Sequence, residues 1–220
     1  MKSRWFPILI IVLILTAGVA LWKFKSPTVM NNEPAMMNNE PAVENQPTGS
    51  ESEMQGYTND DYKFYLEYSA DFLKLGEDEN ARLPWSADSS RPGRRLVTLE
   101  LPKAFEPNTN FSEANISVGI SGDKTEVAAC LLGDQGEVVG TVGINGQTFT
   151  KITVSDAGAG NFYETTSYRI LRDKVCLAFE ATIHSTNLDN YPKEGGIKAF
   201  DKARVEAALN EVVQSFSFSK

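Results

Sequence analysis

The sequence predicts an α+β domain, an antiparallel β-sheet packed by helices, preceded by an N-terminal transmembrane helix and a disordered linker. Three observations predict it. A charge-free apolar run, "FPILIIVLILTAGVALW", extends from Phe6 to Trp22. Several later stretches alternate apolar and polar residues, and two pairs of them flank two-residue turn signals. The chain then closes on "FDKARVEAALNEVVQSF", whose apolar residues recur at helical spacing.

The N-terminal run follows a short tail, residues 1–5, that carries Lys2 and Arg4, and it stops at Lys23 and Lys25. A helix over residues 6–22 would rise roughly 25 Å, slightly short of a typical hydrocarbon core but workable with Trp5, Trp22 and the lysines at the interfaces. Pro7 stands where a first helical turn tolerates it. Charge orients the tail toward the cytoplasm and the remainder outside, as a single-pass protein of the cell membrane. Gly18 and Ala20 have the spacing of a cleavage site, so secretion after signal-peptide cleavage is the alternative. With no cysteine near this segment, attachment as a lipoprotein is excluded.

Residues 23–56 contain "MNNEPA" twice, prolines at 27, 34, 41 and 47, and few aliphatic side chains. Such a segment buries too little apolar area to offset the entropy of ordering, and is expected to be a disordered acidic linker. As a flexible coil it spans on the order of 30 Å. The 29 acidic against 21 basic residues, net charge -8, exclude a nucleic-acid surface, which needs a basic stripe. The basic cluster "RPGRR", with Arg91, Arg94 and Arg95, is too short to reverse this and is expected to be a solvated loop before a strand.

The folded domain is expected over residues 57–220. "YKFYLEY" (Tyr62 to Tyr68), "RRLVTLELP" and "FSEANISVGIS" alternate as half-buried strands do, with "GEDENARLPWSADSSRPG" between the first two as a long loop. "DKTEVAACLL" (Asp123 to Leu132) predicts a short helix. "EVVGTVGI-NG-QTFTKITVSD" predicts a hairpin, since Asn145 and Gly146 suit the positive backbone angles of a tight turn. A second hairpin, "NFYETTSYRILR-DK-VCLAFEATIHS", turns at Asp173 and Lys174. In the final helix Val205, Ala208, Leu209, Val212 and Phe216 form one stripe, Asp201 is the cap, and Phe200 with Val205 has the spacing of a hydrophobic staple. Lys202 and Arg204 in the first turn oppose the helix dipole.

The order "YTNDDYKFYLEYSADF", strand pairs, then an amphipathic helix ending "SFSF" resembles the PsbP/Mog1 type of domain, an α/β/α sandwich. With "IHSTNLDNYP" the chain also resembles single-pass bacterial envelope proteins. The resemblance covers roughly Tyr57 to Phe218. It implies a binding or assembly role without chemistry and transfers no ligand-binding residue.

A two-residue turn at Asp173 and Lys174 sets Arg172 opposite Val175 and thereby assigns the faces of the second hairpin. Val175, Leu177, Phe179, Ala181 and Ile183 share a core face with Tyr168 and Ile170. Cys176, Ala178, Glu180, Thr182 and His184 share the other with Tyr163, Thr165, Ser167, Arg169 and Leu171. On that second face Tyr163, Arg169, Glu180 and His184 form a polar constellation able to hold a small polar or acidic ligand. The same set also fits the solvated side of a sheet, held by ordinary cross-strand pairs. If His184 belongs to such a ligand-binding face, His184→Ala is expected to change stability by less than about 0.5 kcal/mol.

Cys176 and His184, about 26 Å apart along an extended strand, cannot ligate one metal, and one histidine with two cysteines makes a poor zinc set. Cys130 and Cys176, the only cysteines, are instead expected to form a disulfide outside the cytoplasm. Ser185 adjoins His184 but points to the opposite face, so no nucleophile–base pair follows. "GTVGING" and "DAGAGN" connect strand to strand, as turns and not phosphate cradles. No cofactor is implied.

The expected function is a membrane-anchored extracytoplasmic binding or protein-interaction module, non-enzymatic, whose partner is an envelope protein or a small polar ligand. An envelope hydrolase using His184 as base and a purely structural spacer are the alternatives.

Overall fold

The computed structural model describes residues 53–87, 92–133 and 136–219. The tail, the predicted transmembrane segment and linker residues 23–52 lie outside the described residues. Among the described residues no helix is long and apolar enough to cross a membrane.

In chain order the strands are β1 (Met54–Asn59), β2 (Phe64–Ser69), β3 (Leu73–Lys74), β4 (Arg94–Leu101), β5 (Phe111–Ser121), β6 (Glu137–Ile144), β7 (Gln147–Gly158), β8 (Asn161–Arg172), β9 (Val175–Thr186) and β10 (Ser217–Phe218). The helices are α1 (Glu77–Arg82), α2 (Lys124–Ala129) and α3 (Lys202–Ser215). A seven-stranded antiparallel sheet runs β3-β4-β5-β9-β8-β7-β6, and a three-stranded sheet runs β1-β2-β10. The architecture is α+β.

Both predicted turns form, with Asn145 at φ 44° and Gly146 at 79°, then Asp173 at 50° and Lys174 at 64°. Register in the second hairpin runs unbroken from Arg172↔Val175 to Asn161↔Thr186. The first face of the large sheet is core as expected. Phe179 is fully buried and Leu177 and Ile183 nearly so, packed with Phe64, Leu66 and Phe216. Helix α3 covers this face with Val205, Leu209, Val212 and Val213. Asp201 caps it by accepting from the Arg204 N–H.

The two cations at the start of α3 are satisfied by partners outside the helix. Lys202 pairs with Glu164 on β8. Arg204 donates to Glu106 Oε1 at 2.9 Å and lies over the Phe105 ring at 4.2 Å. Side-chain partners thereby offset the unfavourable end of the dipole.

Two expectations are corrected. Pairing begins at Met54, within the predicted linker, because Gly56↔Glu67 and Met54↔Ser69 extend the β1–β2 ladder before Tyr57. The predicted loop over residues 76–93 also contains α1, a short helix with no apolar stripe. Glu77, Asp78 and Glu79 in its first turn and Arg82 in its last complement the dipole, and Glu79 Oε2 accepts from the Gly76 N–H at 2.9 Å.

Candidate functional site: a transverse groove on the second sheet face

After α1 the chain crosses the second face of the large sheet as a strap, Leu83–Ala87. The backbone of the strap runs so close to β5 that a Cβ on Gly119 would stand 1.7 Å from the Trp85 carbonyl oxygen. Only glycine permits that approach. Trp85 is 2 % exposed and packs in a small second core with Cys130, Cys176 and Ala178. Cys130, at the end of α2, is disulfide-bonded to Cys176 at the start of β9, with Cα atoms 5.5 Å apart. The bond closes a separation of 46 residues, a constraint worth about 3–4 kcal/mol in the loop-entropy model. Alkylation of the denatured, unreduced protein is therefore expected to label neither cysteine; stoichiometric labelling of both would contradict the bond.

The strap corrects the solvated-face reading. Arg169 and Glu180 are 2 % and 1 % exposed. Arg169 donates to Ser86 Oγ at 2.6 Å and to Ser167 Oγ at 3.2 Å. Both hydroxyls in turn donate to Glu180 Oε1, at 2.8 Å and 3.0 Å. The Ala87 N–H donates to Glu180 Oε2 at 3.0 Å. The guanidinium and carboxylate are thus bridged by two serines, one of them supplied by the strap. These two of the four predicted site residues anchor the strap to the sheet.

Tyr163 and His184 come together elsewhere. They are cross-strand partners whose rings stack at 4.2 Å and 15°. His184 Nδ1 lies 2.6 Å from Glu113 Oε1 and Nε2 lies 2.8 Å from Asn161 Oδ1. Both ring nitrogens are engaged, neither with a hydroxyl. The His184 side chain is 14 % exposed, so the small effect expected of His184→Ala is also corrected. Loss of a mostly buried ring with two hydrogen bonds is expected to cost about 1–3 kcal/mol. Glu180 and His184 are four positions apart on β9, about 13 Å, and the structure places the four residues as two pairs, Arg169 with Glu180 and Tyr163 with His184.

The opening on this face is a groove of about 360 Å³ beside the strap. Its floor consists of cross-strand rows: Thr98↔Ser117↔Glu180, then Asn115↔Thr182↔Thr165↔Val154, then Tyr163↔Asp156. Leu83, Pro84 and Ala87 form the strap side, and Arg95 closes one end. Arg95 belongs to β4 and is half-buried, which corrects its reading as part of a solvated loop. Its Nε donates to the Pro84 carbonyl at 2.7 Å. Burial lowers its pKa, while the neighbouring Glu180 charge raises it.

Thr98 distinguishes the floor. Val97 and Leu99 belong to the core on the opposite face, so strand alternation turns Thr98 toward the groove. It is 3 % exposed, and among the described residues its Oγ1 has no hydrogen-bond partner. Sequence reading missed Arg95, Thr98 and Asn115. The available signal was Thr98, the uncharged polar residue within "LVTLEL".

At the β4 side of the face, burial raises the Glu100 pKa, and the Glu113 and Glu79 charges raise it further. A carboxyl group with a raised folded-state pKa is destabilising once ionised, so its cost is present above the ordinary carboxylate range and absent below it. Glu100→Gln is expected to raise Tm at neutral pH, with the gain vanishing in acid. Melting curves across pH check this; a gain that persists at low pH would contradict the cause.

No protein-family model and no curated protein matches the chain. Solved structures do resemble it. The PsbP protein (CyanoP) of Synechocystis sp. PCC 6803 is 14% identical with a TM-score of 0.36, over 81% of this chain and 99% of that one. LpqN of Mycobacterium tuberculosis, described as involved in cell envelope biogenesis, is 12% identical with a TM-score of 0.39, over 79% and 88%. A Bacteroides thetaiotaomicron VPI-5482 protein is 12% identical with a TM-score of 0.39, over 75% of this chain and 48% of its own, so the present chain spans about half of its length. A PsbP protein and a bacterial envelope protein are therefore among the structural neighbours, while no residue role passes from them at these identities.

Proposed function

We propose that this protein is a membrane-anchored, extracytoplasmic, non-enzymatic binding module that takes its ligand in the groove beside the strap. The observation that carries the reading is Thr98, a buried hydroxyl without a partner among the described residues, at the floor of an open groove. Such a group costs free energy unless something arriving in the groove satisfies it. Anchoring is supported by the charge-free run from Phe6 to Trp22 between basic flanks, and the disulfide agrees with an oxidising compartment. The non-enzymatic reading is supported by His184, whose ring nitrogens are held by Glu113 and Asn161 and not by a nucleophile.

Bound ligand stabilises the fold by mass action. The full-length protein in nanodiscs is expected to gain Tm when mixed with a fraction extracted from the bacterial envelope. Thr182→Trp, which fills the groove, is expected to gain nothing. An equal shift in the variant, or none in either protein, would sink the groove as a binding site.

A further inference from the structure

On the reading of the groove as a binding site, we infer that its ligand is a neutral glycan chain lying across the strands. The shape requires an extended ligand. The lining runs from Arg95 and Thr98 on β4 to Asp156 on β7, four strand spacings or about 19 Å between backbones. That separation rules out a compact zwitterion such as a free amino acid clasped between Arg95 and Asp156.

The backbone rules out one kind of extended ligand. Strands β5, β9 and β8, which carry the middle of the floor, have neighbours on both sides along the groove rows, so a peptide laid across them finds no free ladder edge there. A peptide that added as a strand along β7 beyond Thr153, where its β6 ladder ends, would run along the strands and not across the groove. Recognition on this face must come from side chains. An anionic polymer is disfavoured because Asp156 lines one end of the groove, whereas among the described residues Arg95 is the sole cation in the lining.

What remains is a ligand with hydroxyl edges and apolar faces. The floor presents Thr98, Asn115 and the Thr165–Thr182 pair, whose hydroxyls bond each other at 2.8 Å and keep further donor or acceptor capacity, all short uncharged side chains that both donate and accept hydrogen bonds. The strap side adds Leu83, and the last row of the floor adds the Tyr163 ring. Stacking on His184 holds that ring in place, so the aromatic surface is set before a ligand arrives. A pyranose chain offers the complementary alternation: C–H faces for the ring and strap, hydroxyls for the floor.

The test uses the full-length protein in nanodiscs, titrated calorimetrically with cellotetraose, chitotetraose and maltotetraose, with the corresponding disaccharides, and with an uncharged unstructured peptide of similar length. At least one tetrasaccharide is expected to bind, and at least tenfold more tightly than its disaccharide. Asn115→Ala and Tyr163→Ala are each expected to weaken it tenfold or more, while Val139→Ala, on the exposed edge strand, leaves it unchanged. Binding of the peptide with no saccharide bound overturns the glycan assignment. If no saccharide binds but envelope extract still shifts the wild-type Tm and not that of Thr182→Trp, the glycan class is wrong and the groove survives. If the extract also fails to separate the two proteins, both fall.

Discussion

Phe179→Ala is expected to cost about 3–5 kcal/mol, through lost burial and the cavity left behind. Phe179 is fully buried at the centre of β9 and stacks on Phe216 at 4.8 Å, with Tyr168 at 6.2 Å. The lost ring therefore touches the sheet and the segment that ends α3 together, and neighbouring side chains cannot collapse into the space without moving one of these layers. Comparison of chemical denaturation of this variant with that of His184→Ala measures the two faces of one strand. The core-face change is expected to exceed the other by roughly 2 kcal/mol. A smaller loss from Phe179→Ala than from His184→Ala would reverse the face assignment.

Glu180→Ala is expected to cost a similar amount, about 3–5 kcal/mol, for a different reason. It removes the acceptor shared by Ser86, Ser167 and the Ala87 N–H, and it deletes the negative charge bridged to the buried Arg169 guanidinium. The strap is the element that would lift. Trp85 fluorescence is expected to shift to longer wavelength in Glu180→Ala, while Phe179→Ala, in whatever fraction remains folded, leaves Trp85 in place. Unchanged Trp85 emission in Glu180→Ala would show that the strap does not depend on this network.

Much of the sheet was legible in the sequence because its determinants are local. Asn145-Gly146 and Asp173-Lys174 fix two turns, and a two-residue turn fixes the register and face of everything in its hairpin. That arithmetic placed Tyr163 opposite His184 and Glu180 diagonal to Arg169, as the structure has them. What the second face meets was not legible, because it depends on a segment about ninety residues earlier. Nothing in "ARLPWSAD" alone says that Trp85 lies over the disulfide or that Ser86 bridges Arg169 to Glu180. A buried salt-bridging network and a solvated cross-strand pair have the same residue types. The groove was hidden for the same reason: its floor is spread over β4, β5, β9, β8 and β7, and its rim is the strap.

The order of strands also bears on how quickly the domain can form. Each hairpin closes within its own short stretch, but the β5–β9 seam joins Phe111–Ser121 to the far side of both hairpins, and Phe218 finds its partner at Phe64. Such distant pairings delay a chain, since the entropy of a long closure must be met before the contacts repay it. The Cys130–Cys176 bond sits at the mouth of that seam, tethering the segment after β5 to the start of β9. Once made, it shortens the search from a long excursion to a few residues, so oxidation acts on the folding rate as a zipper stop acts on a zip: it brings the two edges to their starting teeth and leaves the register Ser121↔Cys176, Ile120↔Leu177 and onward to propagate by itself.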